Sequence, residues 1–283
     1  MADIALTDSG DVSRENTLRH AAYSGDLKGL KEQIAAGVDV NAADERGWTA
    51  LLAAAHEAFR EGVEALLAAG ADPGGASTGG FTALHHVIQQ TKDRPVAIEV
   101  TVVRDGVETV LTGRDEIRAQ IGSHPDDLYD DCVAIARMLI DAGIDVERVT
   151  SHKQTPLSHA ASRGTAEITE LLIATKRVDL DSRDKDGVSP LHYASRHGHI
   201  DPVRLLLEAG ANPNITENYG FTPLHEAAEN GHAEVADVLL TAGADPGRGL
   251  TKPFESYPVG TTPIDIAQSM GRRTIVDLLN RRH

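Results

Sequence analysis

The feature that most constrains this chain is a two-helix motif that returns along almost its whole length. In its fullest form the motif runs from Tyr219 to Pro246. Thr222 is suited to a helix N-cap, Pro223 to the first helical position, and Gly231 to the end of the helix. A second apolar helix follows. Two such short helices cannot bury their apolar faces alone, so the motif predicts neighbours of its own kind.

The equivalents of Thr222 set the interval between these units. Successive equivalents are separated by 33, 33, 73, 34, 33 and 40 residues, a period of 33 with two insertions. The marker positions are Asn16, Thr49, Thr82, Thr155, Ser189, Thr222 and Thr262.

These repeats resemble the ankyrin repeat family. TPLHEAAENGH from Thr222 and SPLHYASRHGH from Ser189 match its T-P-L-H-x-A and G-H signature, while NTLRHAA and TPIDIAQ are the degenerate ends expected of capping repeats. The resemblance implies an all-α solenoid of seven repeats over residues 13–283, after a flexible lead-in at 1–12. The repeats begin near residues 14, 47, 80, 153, 187, 220 and 260.

The third repeat is interrupted by an insertion over residues 91–128. Alternating apolar residues over 96–103 predict a strand, and Asp105-Gly106 predicts a two-residue hairpin turn. A second strand is expected over Val107–Leu111 and a short helix over Arg114–Ile121. This ββα element must pack on the solenoid or on a second chain, since a lone hairpin is marginal in water. A monomer and a dimer through the insertion both stay open.

Composition narrows the classes of partner. The net charge of −16 argues against nucleic acid and anionic membranes, and it suits a basic protein. No stretch reaches the roughly 18 apolar residues of a membrane span. The acidic start lacks the basic and apolar regions of a signal peptide, so we expect a cytoplasmic protein. The single cysteine, Cys132, excludes an internal disulfide and any CxxC zinc site.

Five of the thirteen histidines have a structural interpretation. His85, His192 and His225 occupy the TPLH position, where the resemblance implies hydrogen bonds that tie adjacent repeats together. His199 and His232, at the turn between the two helices, receive the same interpretation.

The positions that follow the TPLH histidine are more informative about function. They recur one helical turn apart on the first helix of each repeat and should line one concave groove. The predicted partner-binding residues are His20, Tyr23, His56, His86, Gln89, His159, Arg163, Tyr193, Arg196, Glu226 and Glu229. The charged loop tips add a second contact strip, with Asp44, Glu45, Arg46, Arg183, Lys185, Glu217 and Asn218.

Two functions fit this pattern. The first is non-catalytic recognition of another protein, possibly basic, by the concave face and the loop tips. Arg196→Glu or Tyr193→Ala would then weaken binding and leave stability nearly unchanged. The alternative is an enzyme or small-molecule-binding protein whose pocket lies under the insertion, built on His56, His86, His159, Tyr193 and Glu226. No HExxH, GxGxxG, Walker or GxSxG motif supports this alternative, and we predict no cofactor and no metal.

Overall fold

The computed structural model of the protein describes residues 14–91, 100–104, 107–111 and 125–282. Within these ranges there are fourteen helices and one hairpin. The helices are α1 (Arg14–Ser24), α2 (Leu27–Ala35), α3 (Ala50–His56), α4 (Arg60–Ala68), α5 (Ala83–Gln90), α6 (Pro125–Asp141), α7 (Pro156–Arg163), α8 (Ala166–Ala174), α9 (Pro190–His197), α10 (Ile200–Glu208), α11 (Pro223–Asn230), α12 (Ala233–Thr241), α13 (Pro263–Ser269) and α14 (Arg273–Arg282).

The helices form two layers. The first helix of each pair packs on the first helix of the next pair, and the second helices pack in the same order. We call the surface formed by the first helices, α1, α3, α5, α7, α9, α11 and α13, the concave face. The resulting all-α solenoid confirms the predicted fold class, while the predicted repeat and domain boundaries remain predictions.

Local sequence explains where the first helices begin. The hydroxyl of Thr155 accepts a hydrogen bond from the Ser158 amide at 3.2 Å, and the Thr222 hydroxyl accepts one from the His225 amide at 3.4 Å. A proline follows each cap, where its missing N–H leaves no bond unmade. The leucine two residues after the cap is fully buried in each case, and these leucines form the centre of the core: Leu51, Leu84, Leu157, Leu191 and Leu224.

The loops between pairs, which we call fingers, are joined by backbone hydrogen bonds. The amide of Thr78 donates to the Arg46 carbonyl at 2.9 Å, and the amide of Ser151 donates to the Gly79 carbonyl at 2.8 Å. Gly80 has a φ of +79°, and a Cβ there would lie 2.8 Å from the Val149 carbonyl oxygen. The glycine-rich finger at 73–80 therefore lets its neighbour approach closely and is held on both sides.

The insertion contains the expected hairpin. Strands β1 (Val100–Arg104) and β2 (Val107–Leu111) pair antiparallel, with Val100 opposite Leu111 and Arg104 opposite Val107. The turn at 105–106, residues 96–99 and the predicted helix at 114–121 lie outside the described residues. Helix α6 begins at Pro125, where a proline is well tolerated in the first turn of a helix.

The long last finger docks on the solenoid. The rings of Phe254 and Phe221 lie 5.2 Å apart, and Tyr257 also packs against the buried group formed by Phe221, Leu250 and Ile266. Among the described helices, none has the length and apolar character needed to cross a membrane.

Candidate functional site

The concave face carries the predicted site residues, but it exposes them unequally. His20, Tyr23 and Arg163 are exposed, whereas His86 and Glu226 are buried. The others are half-buried: His56, Gln89, His159, Tyr193, Arg196 and Glu229. The face therefore divides into residues that a partner can reach and residues that the solenoid has enclosed.

The N-terminal part of the face is a chain of contacting rings. We call Tyr23, Trp48, His56, Phe81, His86 and His159 the ring cluster. His86 lies at its centre, with ring centroids 4.7 Å from Trp48, 5.7 Å from His56 and 5.8 Å from Phe81. Phe81 continues the chain to His159 at 5.8 Å. Tilted and edge-on contacts of this kind let each ring edge meet a neighbouring ring face.

His86 is a buried imidazole with no hydrogen-bond partner. Its residue is 6% exposed, and neither ring nitrogen has a partner in the described structure. Burial lowers the pKa of His86 to about 4, and the positions of His56 and His159 lower it further. The ring is therefore neutral at pH 7, and its nitrogens carry an unrecovered desolvation cost.

A groove of about 320 Å³ opens beside the ring cluster. We call it the central groove; α5, α7, α9 and the finger before α7 form it. Its wall includes Gln89, Gln154, Ser158, His159, Arg163 and His197. The Nε2 of His159 is buried without a partner, and burial, followed by the nearby Arg163 charge, lowers the pKa of His159 to about 4.

The C-terminal part of the face holds an ion pair in which both carboxylate oxygens accept hydrogen bonds. The Nε and an Nη of Arg196 donate to the two carboxylate oxygens of Glu226 at 2.9 and 2.6 Å. Glu226 is 2% exposed, and its carboxylate raises the pKa of Arg196 above its ordinary value. A bidentate contact of this geometry satisfies the buried carboxylate inside the solenoid.

The Tyr193 hydroxyl is likewise hydrogen-bonded to other residues of the protein. Its hydroxyl donates to Asp184 Oδ2 at 2.7 Å and accepts from the Gln154 amide at 2.6 Å. The other oxygen of Asp184 accepts the Asp186 and Val188 amides, both at 2.9 Å. Burial raises the pKa of Tyr193 to about 12. Its hydroxyl therefore links two repeats.

These arrangements correct the expectation that Arg196→Glu and Tyr193→Ala would leave stability unchanged. Either substitution removes a partner from a buried carboxylate, Glu226 or Asp184. The sequence could not show this because the partners lie 30 and 9 residues away.

The five residues of the enzyme alternative do not share one pocket. His56 and His86 are in contact, and Phe81 lies between His86 and His159 in the ring cluster. Tyr193 and Glu226 belong to the separate networks described above. In the part of the chain that the structure describes, no three histidine, cysteine, aspartate or glutamate side chains are placed to hold a metal ion.

Family models agree with this architecture. A model of three ankyrin repeats matches residues 18–98 and 128–217, and a second, of many copies, matches residues 206–248. The chain belongs to the ankyrin repeat family. The ankyrin repeat domain of human ASB11 is structurally similar, with a TM-score of 0.69, 24% identity, and coverage of 94% of this chain and 97% of that one. At that identity the likeness shows the ankyrin fold alone.

Relatives with curated sequences match shorter stretches. Human ankyrin repeat domain-containing protein 29 is 42% identical over 72 residues, 24% of this chain and 24% of the relative. Alpha-latrotoxin-Lhe1a of Latrodectus hesperus is 39% identical over 79 residues, 28% of this chain and 5% of the toxin. The probable 26S proteasome regulatory subunit p28 of Saccharomyces cerevisiae is 34% identical over 87 residues, 30% of this chain and 38% of that protein. The matches thus span less than two fifths of each relative.

The ankyrin histidines tie repeats together, as the resemblance implied. The Nε2 of His192 bonds the Phe221 carbonyl at 2.9 Å, and that of His225 bonds the Thr261 carbonyl at 3.2 Å. His85 makes the same cap contact to Thr82 at 2.9 Å, but its Nε2 lacks a hydrogen bond of good geometry.

His199 and His232 make the complementary tie to the repeat before them. The Nε2 of His199 bonds the Ser162 carbonyl at 3.1 Å, and that of His232 bonds the Arg196 carbonyl at 3.1 Å. These two histidines therefore hold the solenoid together from the other side of the repeat.

Sequence reasoning missed four residues of the candidate site. Trp48 and Phe81 each precede an N-cap, and both are half-buried and join the ring cluster. Gln154 and Ser158 line the central groove. Gln154 offered a signal, since it is polar at a position held by Trp48, Phe81, Val188 and Phe221 in other repeats.

Proposed function

We propose that this protein recognises another protein, without catalysis, through the N-terminal and central parts of its concave face. Ankyrin repeats are generally protein–protein interaction modules. The observation that carries the proposal is the central groove beside the ring cluster: its His159 has an unpaired Nε2, and Arg163 is exposed at its wall. Aromatic rings with adjacent polar groups are typical of the energetically dominant residues of interfaces.

The finger tips have a smaller share in this proposal than the sequence predicted. Asp44 and Glu217 each accept two amides of their own finger. Arg183 donates to the Thr216 carbonyl, and Asn218 to the Lys185 carbonyl. These four side chains shape the fingers, so Glu45, Arg46 and Lys185 are the tip residues left for a partner.

The partner's charge is a separate question from its identity. The net charge of −16 favours a partner that is basic overall. That charge predicts only a long-range attraction as the two proteins approach each other, because the contacts themselves depend on the groups within the interface. A dimer through the β1–β2 hairpin stays a prediction from the sequence.

The test uses the whole chain as bait for partner capture. A concave variant, His159→Ala with Arg163→Ala, is compared with a surface control, Lys28→Ala with Glu32→Ala, whose side chains are 88% and 65% exposed on α2. The expected result is a protein retained by the wild type and the control but bound at least about tenfold more weakly by the concave variant. Equal retention by both variants contradicts the proposal. Melting curves confirm that each variant is folded.

A further inference from the structure

The central groove differs in charge from the rest of the molecule. Arg163, exposed at the end of α7, contributes a full positive charge, and none of the groove-lining side chains is a carboxylate. The protein as a whole carries a net charge of −16. A cationic recess in such a protein is a local feature that overall composition does not produce.

Two carboxylates of the neighbouring repeats are already engaged elsewhere. Glu226 is held by both nitrogens of Arg196, and Asp184 accepts the Tyr193 hydroxyl and two backbone amides. Neither is free to pair with Arg163. In the described structure, Arg163 takes part in no ion pair, so its charge is available to a ligand.

Hydrogen-bond donors surround this charge. Ser162 offers a hydroxyl, and Gln89 offers a side-chain amide from the neighbouring α5. The Ser158 hydroxyl is buried and already bonded to the Thr155 hydroxyl at 3.1 Å. The His159 ring lies at the same wall, with its unpaired Nε2 buried. A neutral imidazole can donate one N–H, and serine hydroxyls rotate to suit an acceptor. The volume of about 320 Å³ lies at the lower end of the range of ligand pockets.

We propose that the central groove binds the carboxylate of an aspartate or glutamate side chain on the partner protein. Arg163 forms the ion pair, and the Ser162 hydroxyl and the Gln89 side-chain amide donate to the carboxylate oxygens, with the His159 ring beside them. This inference rests on the proposed function and names the chemistry of the partner. A guanidinium matches the planar, two-oxygen geometry of a carboxylate.

The charge balance favours a carboxylate over a phosphate. Burial lowers the pKa of His159 and of His197, so both rings are neutral at pH 7.5 and Arg163 supplies one positive charge. A carboxylate brings one negative charge, whereas a phosphorylated side chain brings nearly two. The acidic surroundings add a further cost to the more highly charged group.

The experiment follows the histidine ring signals of the full chain by NMR at pH 7.5 while hexaglutamate is added. Saturable shifts at His159 and His197 are expected in the wild type. Arg163→Gln should bind about tenfold more weakly, since a charged guanidinium is replaced by a neutral amide. The matched control, Arg204→Gln, removes an exposed arginine on the outer helix α10 and should bind like the wild type. Because the whole protein repels hexaglutamate, non-specific attraction does not explain such binding.

Three results would overturn the inference. These are the absence of saturable shifts with hexaglutamate, equal binding by Arg163→Gln and the wild type, and tighter binding of inorganic phosphate or hexalysine than of hexaglutamate at the same residues. If the concave variant loses a captured partner while hexaglutamate shows no binding, the proposed function stands and the carboxylate assignment fails. If neither effect is seen, both fail.

Discussion

The N-terminal and C-terminal parts of the concave face use equivalent repeat positions for different kinds of contact. His86 and Glu226 occupy the same position in their repeats, and both are buried. His86 meets rings and has no hydrogen-bond partner, while Glu226 is paired through both carboxylate oxygens with Arg196. One part of the face leaves its polar atoms unpaired, and the other satisfies them within the solenoid.

This difference distinguishes polar groups that a partner could bind from polar groups that hold the repeats together. A polar group that is paired across two repeats stabilises the solenoid and offers little to a partner. A buried group without a partner lowers stability, so its presence calls for another reason. The ring cluster and central groove therefore merit the first functional tests, and the Arg196–Glu226 pair the first stability tests.

The largest expected effect is the response to acid. Five histidines, four of them buried and His159 half-buried, have pKa values of about 3 or 4 in the folded protein, against about 6.5 when unfolded: His85, His86, His159, His192 and His225. Between these values the unfolded chain binds more protons than the folded one. The contribution of these neutral histidines to the free energy of unfolding is therefore fully present above pH 6.5 and is lost as pH falls from 6.5 towards 4.

Urea unfolding at pH 7.5 and pH 5 measures this loss, which should be several kcal/mol. His86→Leu should reduce it by up to about 2 kcal/mol, because one buried ring no longer gains a proton on unfolding. Arg204→Met, which removes an exposed arginine, should leave the pH-dependent loss close to that of the wild type. A loss unchanged by His86→Leu would contradict the assignment of His86 as a neutral, buried imidazole.

A smaller but local effect is expected for Arg196→Met at pH 7.5. The substitution leaves the Glu226 carboxylate buried without its partner and should lower the free energy of unfolding by about 2 kcal/mol, allowing for the 38% exposure of the Arg196 side chain. Arg204→Met is the matched control, since Arg204 and Glu234 are also 30 residues apart but 52% and 72% exposed. It should cost less than about 0.5 kcal/mol. Equal losses would remove the distinction between the buried and exposed pairs.

The smallest effect is a gain in stability for His86→Leu at pH 7.5. Removing two unpaired buried nitrogens should raise the free energy of unfolding by up to about 1 kcal/mol. His192→Leu is the contrasting change, because it leaves the Ser189 cap and the Phe221 carbonyl without their partner and should cost about 2 kcal/mol. Thermal melting of both variants decides the matter, and a loss in His86→Leu as large as that in His192→Leu would show that His86 is structurally required.

The sequence predicted more of the fold than of the candidate site. A threonine or serine stands at the marker position in six of the seven units, a proline follows it in four, and a leucine two residues after the marker recurs in six, so local signals predicted the helix pairs. The place of Trp48 and Phe81 in the ring cluster could not be predicted, because an aromatic residue before the N-cap is compatible with both the core and the concave face.

By itself the sequence determined a stack of helical pairs. The 33-residue period repeats the unit, and each cap signal acts within a few residues of the helix that it begins. Only the tertiary structure decided which polar groups find partners. Arg196 meets Glu226 across 30 residues and His192 meets Phe221 across 29, so each pairing depends on how one repeat is placed against the next. The same placement left His86 and His159 with unpaired nitrogens. Similar polar side chains thus became internal ties in one part of the face and free groups in the other.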